Sequence, residues 1–326
     1  MKDITKGEKS FIPLSISFWG WKGVFFMLME ELAKEFILDC RVRNLAPRTI
    51  RNYEKQLSYF VRFLNEGQGV KALEELKPIH IKQFIVMLQG RRNKPSYVND
   101  LLKAVKCLCA YAYNEGYSPE LISKKIKNVK EPKVLIHTFS DDEIVKMIQY
   151  YDGTDYLSIR NRLMLMMLFD TGLRISELIN MKPTQIRDGY FNVYGKGRKE
   201  RVVPQNAIVC KWMMKYDRAR EVFFEYKKAE DFYFLSKNGK RLTPEAVNKM
   251  MKKAAVEVGV NPLVRVSPHT CRHTFAHQEL KNGLDLYSLS RLLGHESVSI
   301  TQRYLEAVRD DQILTSAKKT GVLANL

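Results

Sequence analysis

Residues 163 to 169, Leu-Met-Leu-Met-Met-Leu-Phe, are apolar without interruption, and the segment closes at Thr171-Gly172. Such a run is far short of the roughly 20 residues that span a bilayer. A helix that is apolar on every side has to be wrapped by other elements on every side. The second half of the chain must therefore build a substantial core around this segment. Apolar residues make up 45% of the 326 and aromatics 11%, which excludes a disordered chain. At this length about two domains of ordinary size are expected.

Residues 129–137 contain Pro132, mixed charge and no helical period, and read as a linker. Ahead of it, the segment opened by Pro47 sets Ile50, Tyr53, Leu57, Phe60, Val61 and Leu64 on one face and Arg48, Arg51, Lys55 and Arg62 on the other. Further amphipathic runs at 78–89 and 95–115 make residues 29–128 a small helical bundle with basic surfaces. Beyond the linker, Ser140-Asp-Asp-Glu143 is a capping-box sequence that opens a second domain, 138–326. In it, Phe191-Asn-Val-Tyr194 and Arg201-Val-Val203 alternate like strands around Gly195-Lys-Gly-Arg-Lys-Glu200, a hairpin with a charged tip. Helices follow to the end, so the fold class is mainly α with a small β-hairpin or sheet (α+β).

Residues 1–28 read as an atypical extension. Phe11 to Met29 is rich in large apolar residues behind a few lysines, but Lys22 interrupts it and no small-residue cleavage site follows. Met27 or Met29 reads as the natural start. Five cysteines at irregular spacing, without a CxxC pair, suit a reducing cytoplasm and argue against a zinc site.

The formal charge is +18, of which +8 falls in residues 30–130 and another +8 in residues 131–326. A generally basic surface is the bland explanation. Charge spread over both halves better suits a protein that surrounds a polyanion, with nucleic acid the leading candidate.

Cleaving a phosphodiester with an enzyme nucleophile requires donors on the non-bridging oxygens, an acid for the leaving oxygen, and an activated hydroxyl. Thr171-Gly-Leu-Arg174-Ile-Ser-Glu177 places an arginine just after the apolar helix. His269-Thr-Cys-Arg272 puts a histidine and an arginine three apart on one helical face. Leu292-Leu-Gly-His295 and Thr301-Gln-Arg-Tyr304 add an imidazole and a phenol nine residues apart. Each residue alone would more often be an ion pair, a core imidazole or a packed aromatic. Their order along one chain is the signal.

In that order and spacing, from about Met29 onward, the chain resembles the tyrosine recombinase or phage-integrase family, most closely its Xer-like and simple integrase members. The resemblance implies a helical core-binding domain and a catalytic domain forming a C-shaped clamp on DNA. It implies that Arg174 and Arg272 bind the scissile phosphate and that His295 hydrogen-bonds it. His269 would assist proton transfer at the hydroxyl of Tyr304, the nucleophile, and Lys196 would protonate the departing 5′ oxygen. Arg198, Lys199 and Arg201 share that hairpin with Lys196, and Glu177 would buttress Arg174. A phenol ionises near pH ~10, so the cationic cluster has to activate it. A 3′-phosphotyrosine link keeps the bond energy, so neither metal nor nucleotide cofactor is implied. Tyr190, Tyr194, His273, His277 and Tyr287 match no catalytic position and are assigned to packing or backbone contacts.

The implied partners are double-stranded DNA with a specific core site, in a mobile element or a chromosome dimer, and three further copies in a homotetramer. The tail Leu305 to Leu326 would dock on a neighbouring subunit or in cis. An accessory directionality factor would fit, a membrane would not, and the expected place is the nucleoid in the cytoplasm. Gln185 to Arg187 and Thr243 to Lys253 are candidates for reading bases. The rivals are a strand-relaxing topoisomerase of the same chemistry and a catalytically silent DNA-binding regulator.

Overall fold

The structure is a computed structural model that describes residues 26–132, 136–195, 200–302 and 304. The chain divides into two units, residues 1–133 and 134–326.

Among the described residues the first unit contains four α-helices, α1 (Met29–Val42), α2 (Pro47–Arg62), α3 (Pro78–Gly90) and α4 (Pro95–Asn114). Three of them begin with proline, whose fixed φ suits the first turn and whose missing N–H would have had no helical partner there. As its spacing predicts, α2 buries Leu57, Phe60 and Val61, with Leu64 just beyond its end, while Arg48, Arg51, Lys55 and Arg62 stay exposed. Phe84 from α3 forms the aromatic centre, its ring 5.1 Å from Phe60 and 5.2 Å from Phe63. The chain before α1 is tied to the segment after α2 by Met29 N–H donating to the Lys71 carbonyl and Leu73 N–H to the Met27 carbonyl, both at 2.8 Å. All five cysteines of the protein are free thiols.

In the second unit the capping box forms: Ser140 N–H donates to Glu143 Oε2 at 2.8 Å and Glu143 N–H to Ser140 Oγ at 3.3 Å. It opens α5 (Asp141–Gln149). The apolar run is the middle of α6 (Tyr156–Thr171), and every residue from Leu163 to Phe169 is buried. Elements α7 (Ile175–Ile179), α8 (Ala207–Phe224), α9 (Pro244–Glu257) and α10 (Pro268–Lys281) follow, and α6 packs directly on α5, α7, α8 and α10. Two shorter helices, α11 (Leu286–Leu293) and α12 (Val298–Gln302), complete the described chain. Among the described residues no helix is long and apolar enough to cross a membrane.

The hairpin is part of a three-stranded antiparallel sheet, β1 (Ile186–Arg187), β2 (Tyr190–Tyr194) and β3 (Glu200–Pro204). β1 is two residues long, too short for alternation to reveal it. Phe191 pairs with Val203 and Val193 with Arg201. Phe191, Val193 and Val203 are buried and Val202 points out, so the period of two puts Arg201 on the inward face. A charge turned inward needs a partner. Arg201 Nη1 and Nη2 donate to Glu177 Oε1 and Oε2 of α7 at 2.8 and 2.7 Å, and the two side chains are 8% and 5% exposed.

Gly172 ends α6 with φ +59, the left-handed conformation that L side chains resist. A Cβ there would lie 2.5 Å from the Phe275 ring and 3.0 Å from Leu293. Gly172→Ala is therefore expected to cost roughly 1–3 kcal/mol, read as a lower urea midpoint of the full chain. Burial pushes the Glu177 carboxyl up, but the Arg201 guanidinium, helped by Arg174, outweighs this and leaves it below its ordinary value. A depressed carboxyl contributes stability above its unfolded pKa and loses it as pH falls through the folded value. The deficit of Glu177→Gln relative to the parent is expected to be full at neutral pH and to shrink once pH drops below about 4.3, measured as thermal midpoints across an acid series.

Candidate active site

Helix α11 ends at Gly294, in the left-handed conformation with φ +64. The last carbonyls of a helix have no partner within it and carry its partial negative charge. Here three consecutive ones each accept from a different arginine. Arg201 Nε donates to the Leu292 carbonyl at 2.7 Å, Arg272 Nη2 to Leu293 at 2.6 Å and Arg174 Nη2 to Gly294 at 3.2 Å. The three guanidiniums come from β3, from α10 and from the residue before α7, and they converge on one turn.

Arg174 is oriented twice by Glu177: its Nη1 donates to Oε1 at 2.9 Å and its backbone N–H to Oε2 at 2.8 Å. Its side chain is 37% exposed, the open member of the cluster. Arg272 is buried, and its Nη1 donates to the Gly172 carbonyl at 2.7 Å. Burial, reinforced by the neighbouring Arg174 charge, pushes the Arg272 guanidinium down to about 10, which leaves it charged at neutral pH.

His295 joins the same cluster, with Nε2 2.9 Å from Arg272 Nη2 and Nδ1 2.8 Å from Thr301 Oγ1. A guanidinium only donates, so Nε2 accepts and the ring proton sits on Nδ1, directed at Thr301. The Tyr304 ring lies nearly parallel to the His295 ring, 15° between planes and 6.4 Å between centroids. Tyr304 is packed into a small cluster with Phe275, Ala276, Leu289 and Leu293, and its backbone N–H donates to the Thr301 carbonyl at 3.0 Å.

His269 is paired with His273, which lies beside Tyr304. Its Nε2 lies 3.0 Å from His273 Nε2, and the His273 ring is 5.1 Å from that of Tyr304. One of these two nitrogens must donate and the other accept, so the pair shares a single proton between them. His277 stands one further turn along, 6.1 Å from Tyr304, and burial pushes its imidazole down.

The structure thus gathers Arg174, Arg272, His295 and Tyr304, with His269 paired to His273 beside Tyr304, while Lys196 lies outside the described residues. Three contributors escaped the sequence reading. Arg201 shares a face with Val203 in the strand pattern, which was the available signal. His273, read as packing, follows His269 by four residues and so shares its face of α10. Thr301 carries no signal of its own, because only the fold brings it to His295.

Residues 137–310 match the phage integrase family and residues 32–117 the phage integrase N-terminal SAM-like domain. The chain is 30% identical to the tyrosine recombinase XerD of Listeria monocytogenes over 285 residues, 86% of this chain and 95% of that one. It is also 30% identical to the tyrosine recombinase XerA of Pyrococcus furiosus over 302 residues, 92% of this chain and 97% of that one. Among solved structures it resembles the XerH site-specific recombinase in a post-cleavage complex with its difH substrate, with TM-score 0.70, 20% identity, and 90% and 84% of the two chains covered. A lambda integrase dimer bound to a core site gives TM-score 0.66 at 18% identity, covering 86% and 77%. The arginine cluster, the tyrosine beside it and these likenesses agree: the chain belongs to the phage integrase family and is a tyrosine recombinase of the Xer-like kind, an enzyme that cuts and rejoins DNA.

Proposed function

We propose that Tyr304 is the nucleophile of site-specific strand exchange and that the cluster at the end of α11 is its phosphate site. The observation that carries this reading is the convergence of Arg174, Arg272 and His295 on one turn, with the Tyr304 ring stacked beside His295.

Arg174 and Arg272 hold the non-bridging oxygens, where their fixed forks meet the negative charge that grows as the phenolic oxygen attacks phosphorus. The P–O5′ bond breaks as the Tyr304–phosphate bond forms, leaving a 3′-phosphotyrosine and a free 5′ hydroxyl. His269, its Nε2 paired with His273, accepts the phenolic proton, and Lys196 delivers one to the departing oxygen. His295 donates to a phosphate oxygen after gaining a second proton, since Nε2 is already committed as an acceptor in the DNA-free state. Attack by a partner strand's 5′ hydroxyl reverses the step, and the ester keeps the energy for it, so no nucleotide is consumed.

The substrate is double-stranded DNA carrying a specific core site, gripped by the basic faces of residues 29–128 and by the catalytic residues of 138–326. Most of the affinity comes from phosphate contacts and falls with salt, while Gln185 to Arg187 and Thr243 to Lys253 are the candidates for base contacts. Two duplexes present four strands to cut, so four copies act together on DNA, linked through the tail 305–326, which lies outside the described residues. The site of action is the nucleoid of the cytoplasm, with a directionality factor as a further partner.

The deciding experiment incubates the full chain and Tyr304→Phe with sheared DNA from the source organism and looks for an adduct that survives denaturant. The parent is expected to give a 3′-linked adduct and the variant none, with both retaining DNA on a filter. Equal adducts from both proteins would remove Tyr304 from the mechanism.

A further inference from the structure

We infer that Arg201 is a positioning residue for strand cleavage: it sets Arg174 and His295 relative to each other by gripping Glu177 with its two Nη atoms and the end of α11 with its Nε. This rests on the phosphate-site reading above.

Arg201 is not placed to touch DNA. Its side chain is 8% exposed, and all three of its nitrogens are engaged within the protein, two with the Glu177 carboxylate and one with the Leu292 carbonyl. What it touches is connected to both outer groups. Glu177 Oε1 accepts from Arg201 Nη1 and from Arg174 Nη1, and Oε2 accepts from Arg201 Nη2 and from the Arg174 backbone N–H. A carboxylate held by a fork on one edge presents its other edge in one orientation, and Arg174 inherits that orientation. On the other side, Leu292 lies three residues before His295, and the Arg201 stem packs under the intervening Gly294, where a Cβ would come within 3.0 Å of Arg201 Cδ. Arg201 thus joins the α7 side of the phosphate site to the α11 side.

The chemistry explains why arginine stands here. Lysine offers one point charge on a flexible stem, whereas the guanidinium fork satisfies two carboxylate oxygens and a carbonyl on a separate element at once. Arg201→Lys keeps a cation opposite the buried Glu177 and so keeps the fold, but it cannot span the two elements.

The test uses the full chain with sheared DNA from the source organism as probe. For Arg201→Lys, the thermal midpoint and filter retention of DNA are expected to stay near the parent's. Formation of the Tyr304-dependent adduct is expected to slow on the order of 100-fold, as for an ångström-scale misplacement of reacting groups. Arg174→Lys, made alone and together with Arg201→Lys, separates positioning from general support. If Arg201 acts through Arg174, the double variant is slower than the parent by much less than the product of the two single losses. An Arg201→Lys protein at the parent's rate, or losses that multiply, would overturn the inference. Should Arg201→Lys unfold, the charge-free pair Glu177→Gln with Arg201→Gln replaces it, with the same slow adduct expected and the parent's rate counting against it. If the parent itself forms no Tyr304-dependent adduct, the cleavage reading falls, and this inference with it.

Discussion

Three guanidiniums gather at the carbonyls of Leu292, Leu293 and Gly294, and the rest of the site depends on how they are held. Like charges repel, so the arrangement requires compensation in place before any substrate arrives. The α11 terminus supplies partial negative charge through its last carbonyls, and Glu177 supplies a full one between Arg174 and Arg201. The result is a cationic surface assembled in the absence of DNA, with Arg174 left open. A phosphate entering such a site meets donors already oriented, so little reorganisation is needed as charge develops.

The core helix makes that arrangement possible. α6 is buried from Leu163 to Phe169, and its end at Gly172 places a carbonyl against Arg272 and a Cβ-free surface against Phe275 and Leu293. Arg272 and Arg174 are therefore referenced to the same buried element, one by a hydrogen bond to its final turn and the other by following it two residues later. Tyr304 belongs to a separate small apolar cluster on α10 and α11, with its ring between the His295 and His273 sides. Leu293 links the two, since its carbonyl accepts from Arg272 and its side chain packs in the cluster that holds Tyr304.

Much of this was legible in the residues. Continuous apolarity from 163 to 169 required a wrapped helix, the Ser140–Glu143 spacing required a helix start, and the period of two around 191–194 and 201–203 required paired strands. These are local rules, enforced by backbone hydrogen bonding and by which face must leave water, so sequence alone determined them. The order Arg174, His269, Arg272, His295, Tyr304 was legible as well, because each sits in a short segment whose neighbours mark it. What the sequence could not determine is which groups share an acceptor. Arg201 and Glu177 are 24 residues apart, Arg272 and Gly172 are 100 apart, and Arg174 and Gly294 are 120 apart. Those pairings exist only because packing of α10 and α11 against the core brings one helix terminus to three distant arginines. Tertiary structure also decided that Arg201 would be buried against Glu177 and the Leu292 carbonyl and that His273 would meet both His269 and Tyr304, since burial and side-chain contact are properties of the packed chain.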